Sequence, residues 1–200
     1  MARPKDKEEI ILQAALEAFM NKGFPNTSIK DIAQIAGIAK GTIYDYFTSK
    51  DDLFIEAINY QKQIFSDLIV KNVFNQGSFS DAIGSAMDLI ISSEARQHTQ
   101  LMDMIFMAIP ALKPEPKMRL QDLLGNMRRE GVEVWKNILR MGFEEGKSSM
   151  IDLDFAAACA FCLTSAYNAY LSDLADIQYD QEKKSLIKFI LNGIGYKDRK

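Results

Sequence analysis

Ten consecutive residues, Gly41-Thr42-Ile43-Tyr44-Asp45-Tyr46-Phe47-Thr48-Ser49-Lys50, bring together hydroxyls, phenols, a carboxylate and an ammonium in a chain of 200. Hydroxyl and ammonium groups suit phosphate oxygens, and phenols and carboxylates suit the donors and acceptors on base edges. This is chemistry of recognition, with no nucleophile and base at a spacing that makes or breaks bonds. Gly41 lets a backbone approach a surface closely, although a glycine beside a turn also serves conformation alone. Upstream, the hydroxyls of Thr27 and Ser28 suit either phosphate contact or helix capping.

The elements that must position these groups are legible around them. Ile10, Ile11, Ala14, Ala15, Ala18 and Phe19 line one face of a first helix, which stops near Lys22-Gly23, and Phe24-Pro25-Asn26 reads as a turn. A second helix opens at Thr27-Ser28, with Ser28 and Asp31 in capping-box spacing. It presents Ile29, Ile32, Ala33 and Ala36 to a core and ends at Gly37. In the third helix Ile43 and Phe47 lie four apart on the inward face, leaving Thr42, Tyr44, Asp45 and Tyr46 around the outside. Ser49 caps a fourth helix whose first turn carries Asp51 and Asp52, suited to the helix dipole. Lys50 beside that positive end is an anomaly, relieved if a phosphate shares the site.

The pattern Phe19, Gly23-Phe24, Thr27-Ser28-Ile29, Ile32-Ala33, Ala36-Gly37-Ile38, Gly41, Ile43-Tyr44, Tyr46-Phe47, Ser49-Lys50 resembles the DNA-binding domain of the TetR family of bacterial transcriptional regulators over about a quarter of the chain. The resemblance implies that Lys40 to Phe47 is the recognition helix in the major groove and that Lys50 holds the DNA backbone. The DNA-contact candidates are therefore Thr27, Ser28, Lys40, Gly41, Thr42, Tyr44, Asp45, Tyr46 and Lys50. Asp45 departs from the family pattern, in which a neutral or basic side chain is usual there. Its carboxylate either accepts a hydrogen bond from cytosine, pairs with Lys40 or Lys5, or weakens binding. Arg3 and Lys5 are candidates for a backbone-following arm.

Composition agrees with a local rather than a global anionic partner. The net charge is −3, but residues 1–50 carry 7 Lys/Arg against 6 Asp/Glu, leaving 17 against 21 for the rest. No signal-peptide core or long apolar run appears, so a cytoplasmic protein without membrane contact is expected. Cys159-Ala160-Phe161-Cys162 has redox spacing but falls within an apolar helix, where thiols act as small hydrophobes. Neither a metal site nor a cofactor is expected, and His98 has no catalytic partner, so the chain does not read as an enzyme.

The hydrophobic period is helical almost throughout, giving an all-α fold. It divides into a helix-turn-helix domain over 1–50 and a larger helical domain over 51–200, with helices near 52–75, 79–92, 96–108, 117–145, 152–176 and 181–194. Pro110, Pro114 and Pro116 precede the longest of these, and Gly142, Gly146 and Ser148-Ser149 are expected to end it. The resemblance implies a ligand pocket among the middle helices and dimerisation through the last two. Phe65, Met87, Met102, Phe106, Met127 and Trp135 are the candidate pocket residues, with His98, Asn126, Arg128 and Asn168 as polar groups. Phe161, Tyr167, Leu186 and Ile190 are the candidate interface. The expected protein is a homodimeric repressor of a pseudo-palindromic double-stranded DNA operator, released by a small apolar effector. A ligand-independent regulator of the same fold and a helical small-molecule-binding protein remain open beside it.

Overall fold

Helical periodicity in the sequence becomes helix throughout the computed structural model, which describes residues 4–75, 77–91, 96–146, 152–174 and 177–195, without the side chains of 4–6 and 96–98. The order is α1 (Pro4–Lys22), α2 (Ile29–Ala36), α3 (Lys40–Tyr44), α4 (Lys50–Ile69), α5 (Phe79–Ile90), α6 (Arg96–Ala108), α7 (Pro114–Glu144), α8 (Leu153–Ser172) and α9 (Tyr179–Gly193). A π-helical turn, Val70–Phe74, prolongs α4, and a 3-10 turn, Ile109–Ala111, follows α6. No strand occurs among the described residues.

The chain forms two compact units, one from residues 1–64 and 100–125, the other from 65–99 and 126–200. The first is larger than the segment expected from the motif. Its core joins Ile11, Phe19, Phe24, Ile32, Ile43, Phe47 and Phe54 to Leu101, Ile105, Ala108, Leu112 and Leu120. The apolar face of α4 extends past residue 50 and needs cover, which the end of α6 and the start of α7 supply. Phe19, Phe24 and Phe54 form the aromatic centre, with Phe19 and Phe54 edge to face at 5.1 Å.

In the second unit, Val73, Phe79, Ile83, Met87 and Ile91 pack with Trp135, Ile138, Leu139, Ala157, Ala160, Leu171, Leu186 and Ile190. Helix α7 begins at Pro114 rather than after Pro116, because proline is tolerated in a first turn where no amide partner is lost. Gly142 lies inside α7 instead of ending it. A Cβ there would meet the Phe79 ring at 3.1 Å, so the glycine admits a buried aromatic, and Gly146 at φ +68° follows the helix end. Ser148 and Ser149 lie outside the described residues.

Several expectations for this part of the chain change. Leu186 and Ile190, four apart on α9, share the stripe buried in the core of their own unit, whereas Phe189, one residue before Ile190 and so about 100° round the helix from it, is 67% exposed. Tyr167 donates its hydroxyl to Glu182, linking α8 to α9, and that acceptor pushes the phenol pKa up to about 12. Phe161 packs against α7 at Gly131, so these four residues are occupied within the chain. Cys159 and Cys162 are exposed rather than buried, because α8 is covered on one side only by its own unit. The six pocket candidates are divided between the units. Met102 and Phe106 belong to the first, where Phe106 is 58% exposed, while Met87 and Trp135 are sealed in the core of the second, with Phe65 and Met127 half-buried in that unit. Asn168 is buried and donates to the Thr99 hydroxyl at 3.1 Å, Asn126 accepts from Arg129, Arg128 is exposed, and the His98 side chain lies outside the described residues.

Candidate nucleic-acid interface

Local interactions build the scaffold of the motif. Helix α1 closes at Gly23, whose φ of +76° would strain any side-chain-bearing residue. Ser28 caps α2, its hydroxyl accepting the Asp31 N–H at 3.2 Å while Asp31 accepts the Ser28 N–H at 2.8 Å. A salt bridge from Lys22 at 2.6 Å fastens Asp31 to the end of α1. The Lys22 and Ser28 hydrogen bonds hold its carboxyl well below the usual aspartate range. Helix α2 ends in a left-handed Gly37. The Ile38 N–H donates to Ala33 at 3.1 Å and the Gly37 N–H to Gln34 at 3.3 Å, so three residues suffice to turn the chain into α3.

Two buried anchors, Ile43 and Phe47, hold α3 down. Regular helix ends at Tyr44, but the Tyr46 and Phe47 amides both return to the Ile43 carbonyl, at 3.1 and 2.9 Å. The segment expected as one helix to Phe47 is thus a short helix with a tightened end. With the inward positions filled, Tyr44 stands 49% exposed, and the Lys40 ammonium lies 5.8 Å from its ring centroid. Gly41 and Asp45 are exposed one turn apart, Thr42 is half-buried, and Tyr46 leans on Phe47 with ring centroids 6.4 Å apart. Lys40, Gly41, Tyr44 and Asp45 therefore form an outward face on a rigidly seated helix.

Thr27 and Lys50 serve the fold differently from the expectation. Thr27 is buried, its hydroxyl donating to the carbonyls of Gly23 at 2.8 Å and Ala18 at 3.1 Å, so that hydroxyl has no route to a phosphate. It is an internal clasp for the turn after α1. Lys50 extends back to that turn and donates to the carbonyls of Phe24 at 2.9 Å, Thr27 at 3.0 Å and Pro25 at 3.4 Å, with its ammonium 4.4 Å from the Phe24 ring centroid. Partial negative charge from three carbonyls and a π face explains a cation at the positive end of α4 without an external anion. Ser28 is exposed, but its hydroxyl is already engaged as a cap. Lys5 belongs to the first turn of α1, which removes it from an arm preceding the helix, and Arg3 lies outside the described residues.

Residues without a motif signal complete the support. The Asp51 carboxylate, buried, accepts the Lys113 N–H at 3.3 Å. Asp52 accepts from the Thr48 amide and hydroxyl, both at 3.0 Å, and from Arg119 at 2.9 Å, while Arg119 also reaches Glu56 at 2.8 Å. Burial pushes the Asp52 carboxyl up, but hydrogen bonds from Arg119 and Thr48, with the Arg119 charge, outweigh it and hold the group below its ordinary value. The aspartates after Ser49 were legible as dipole partners. Their tertiary partners, from more than sixty residues away, were not.

Comparison with known proteins places this geometry. Residues 11–57 match the family of bacterial regulatory proteins named tetR. An uncharacterised HTH-type transcriptional regulator of Bacillus subtilis, YuxN, is 43% identical over 56 residues, which are 28% of this chain and 19% of that protein. The HTH-type transcriptional repressor KstR2 of Rhodococcus jostii is 24% identical over 192 residues, covering 92% of this chain and 89% of that one. Among solved structures, a TetR transcription regulator from Haloarcula marismortui superimposes with a TM-score of 0.79 at 16% identity, over 95% of this chain and 98% of that one. Matching motif, outward-facing α3 and shared all-helical fold agree: residues 11–57 carry the helix-turn-helix of the tetR family of bacterial regulatory proteins, and the chain as a whole has the fold of a TetR transcription regulator.

Proposed function

We propose that the chain acts as a homodimeric repressor that binds a pseudo-palindromic operator with α3 in the major groove, and that a small apolar effector releases it. The observation that carries the DNA-reading part is the outward face of α3. Tyr44 is a large side chain half in solvent on a helix seated by Ile43 and Phe47, which favours a role outside the protein over one in its core. Two copies are needed because a palindrome has two half-sites, whose centres lie about 34–36 Å apart on one face of the duplex.

A surface suited to pairing the copies lies on α8 and α9, where Phe155 is 69% exposed beside Cys159, Cys162 and Tyr170, with Phe189 on the next helix. Exposed aromatics on helices whose other faces already form a core favour burial against a second copy. The effector would act by binding more tightly to the shape that does not fit DNA, which is all that coupling requires. No helix among the described residues is long and apolar enough to cross a membrane, in keeping with a regulator that meets DNA in the cytoplasm.

The test is selection from random duplexes by the purified chain and by Tyr44→Ala. An inverted repeat enriched by the parent and weakened in the variant is the expected result. No enrichment, or enrichment indifferent to the change, refutes the reading. Asp45 favours one competitor, a helical binding protein whose motif no longer reads DNA, since a carboxylate on the face of α3 repels phosphates. A steep fall of affinity with salt separates the two.

A further inference from the structure

We infer that Asp45 is a base-reading residue whose carboxylate accepts a hydrogen bond from the amino group of a cytosine in each operator half-site. The inference rests on α3 entering the major groove and specifies what one position of the groove must contain.

The fold makes no visible use of this carboxylate. Of the four acidic residues between Phe24 and Leu53, Asp31 is held by Ser28 and Lys22, Asp51 by the Lys113 amide, and Asp52 by Thr48 and Arg119. Asp45 has no side-chain hydrogen bond or ion pair among the described residues, and Lys40, the cation one turn earlier on α3, lies over the Tyr44 ring instead. Asp45 also closes α3, its amide donating to the Gly41 carbonyl at 3.2 Å, so its negative charge sits at the end of the helix where the backbone dipole opposes it. A group that contributes nothing inside the fold and repels phosphates needs a compensating partner if α3 is to bind DNA.

Groove chemistry narrows that partner to one base. An ionised carboxylate only accepts hydrogen bonds. In the major groove guanine presents two acceptors, thymine an acceptor and a methyl group, and adenine an amino donor beside the N7 acceptor. Cytosine presents an amino donor with no acceptor next to it on the same base. A carboxylate is therefore satisfied by cytosine and repelled in some measure by the other three.

Reach is the remaining requirement, since an aspartate carboxylate stands close to its own backbone. Gly41 lies four residues before Asp45 on the same stripe of α3. It is exposed, its φ is not left-handed, and a Cβ built there would have nothing within 4 Å. The protein thus leaves open the space beside Asp45 that would let the backbone of α3 approach base edges closely enough for a short side chain to touch one.

The experiment measures binding of the full chain to its selected operator and to duplexes substituted symmetrically at each half-site position, then repeats the series with Asp45→Ala and Asp45→Asn. The expected result is one position at which the parent requires cytosine and loses roughly 10- to 100-fold on replacement. Asp45→Ala becomes indifferent at that position while keeping the others. Asp45→Asn shifts its preference there to adenine, whose N6 and N7 match a carboxamide. Unchanged base preference at every position in both variants, with affinity raised uniformly by removal of a negative charge, overturns the inference and leaves operator binding intact. If the parent enriches no sequence at all, the DNA-reading proposal fails, and this inference with it.

Discussion

Replacing Gly41 with alanine separates the needs of the fold from those of the interface. Gly41 is the second residue of α3, with an ordinary helical backbone and no heavy atom within 4 Å of the position a Cβ would take. The folded protein has room for the methyl group, and alanine reduces the conformational freedom lost on folding. Stability should rise by about 0.5 kcal/mol, the lower part of the usual range, because Gly41 is in the first turn and not mid-helix. For a chain of this length that is a rise in Tm of roughly 1–2 °C. Against DNA the methyl group would occupy the gap between α3 and the groove, and overpacking a close interface costs roughly 1–3 kcal/mol, a loss of about 5- to 150-fold in operator affinity. Thermal unfolding and anisotropy of a labelled operator read the two quantities on one preparation. A fall in Tm would mean that the glycine serves the fold after all. A higher Tm with unchanged affinity would mean that this side of α3 does not meet DNA.

Other expected outcomes follow from the same contacts. Lys50→Met removes the donor to three carbonyls and should lower stability by about 1–3 kcal/mol without DNA present, measured by denaturant unfolding; an unaltered midpoint would return Lys50 to the DNA backbone. Asp52 has its pKa depressed in the folded state, so its contribution is complete above the ordinary aspartate value of about 3.9 and is lost as pH falls through the depressed value. Arg119→Ala should therefore melt below the parent at neutral pH, with the difference shrinking toward pH 2; a constant difference would show that the arginine stabilises by packing instead. Gly131→Ala places a Cβ 2.3 Å from the Phe161 ring and should lower Tm despite the gain of about 1 kcal/mol in helix propensity, whereas Gly84→Ala, with nothing within 4 Å, should raise it; equal shifts would show that α7 and α8 yield freely. Phe155→Asp with Phe189→Asp should give a monomer by sedimentation with its helical content retained, and a persistent dimer would move the interface elsewhere.

The sequence by itself determined the helices, the two glycine turns, the capping of α2 by Ser28 and Asp31, and the outward position of Tyr44 and Asp45. Each depends on residues three or four apart, or on one backbone dihedral, and that information is contained in a short stretch of chain. Only the tertiary structure decided what Lys50, Thr27 and Arg119 do. Lys50 meets Thr27 across 23 residues and Arg119 meets Asp52 across 67, and no spacing rule connects positions so far apart. The same limit applies to α8 and α9. Periodicity announces that an apolar face exists, but whether it is covered depends on which neighbours reach it. Leu186 and Ile190 are covered within their own unit while Phe155, Phe189 and both cysteines are not, because a helix packed from one side buries one stripe and leaves the other to solvent or to a partner.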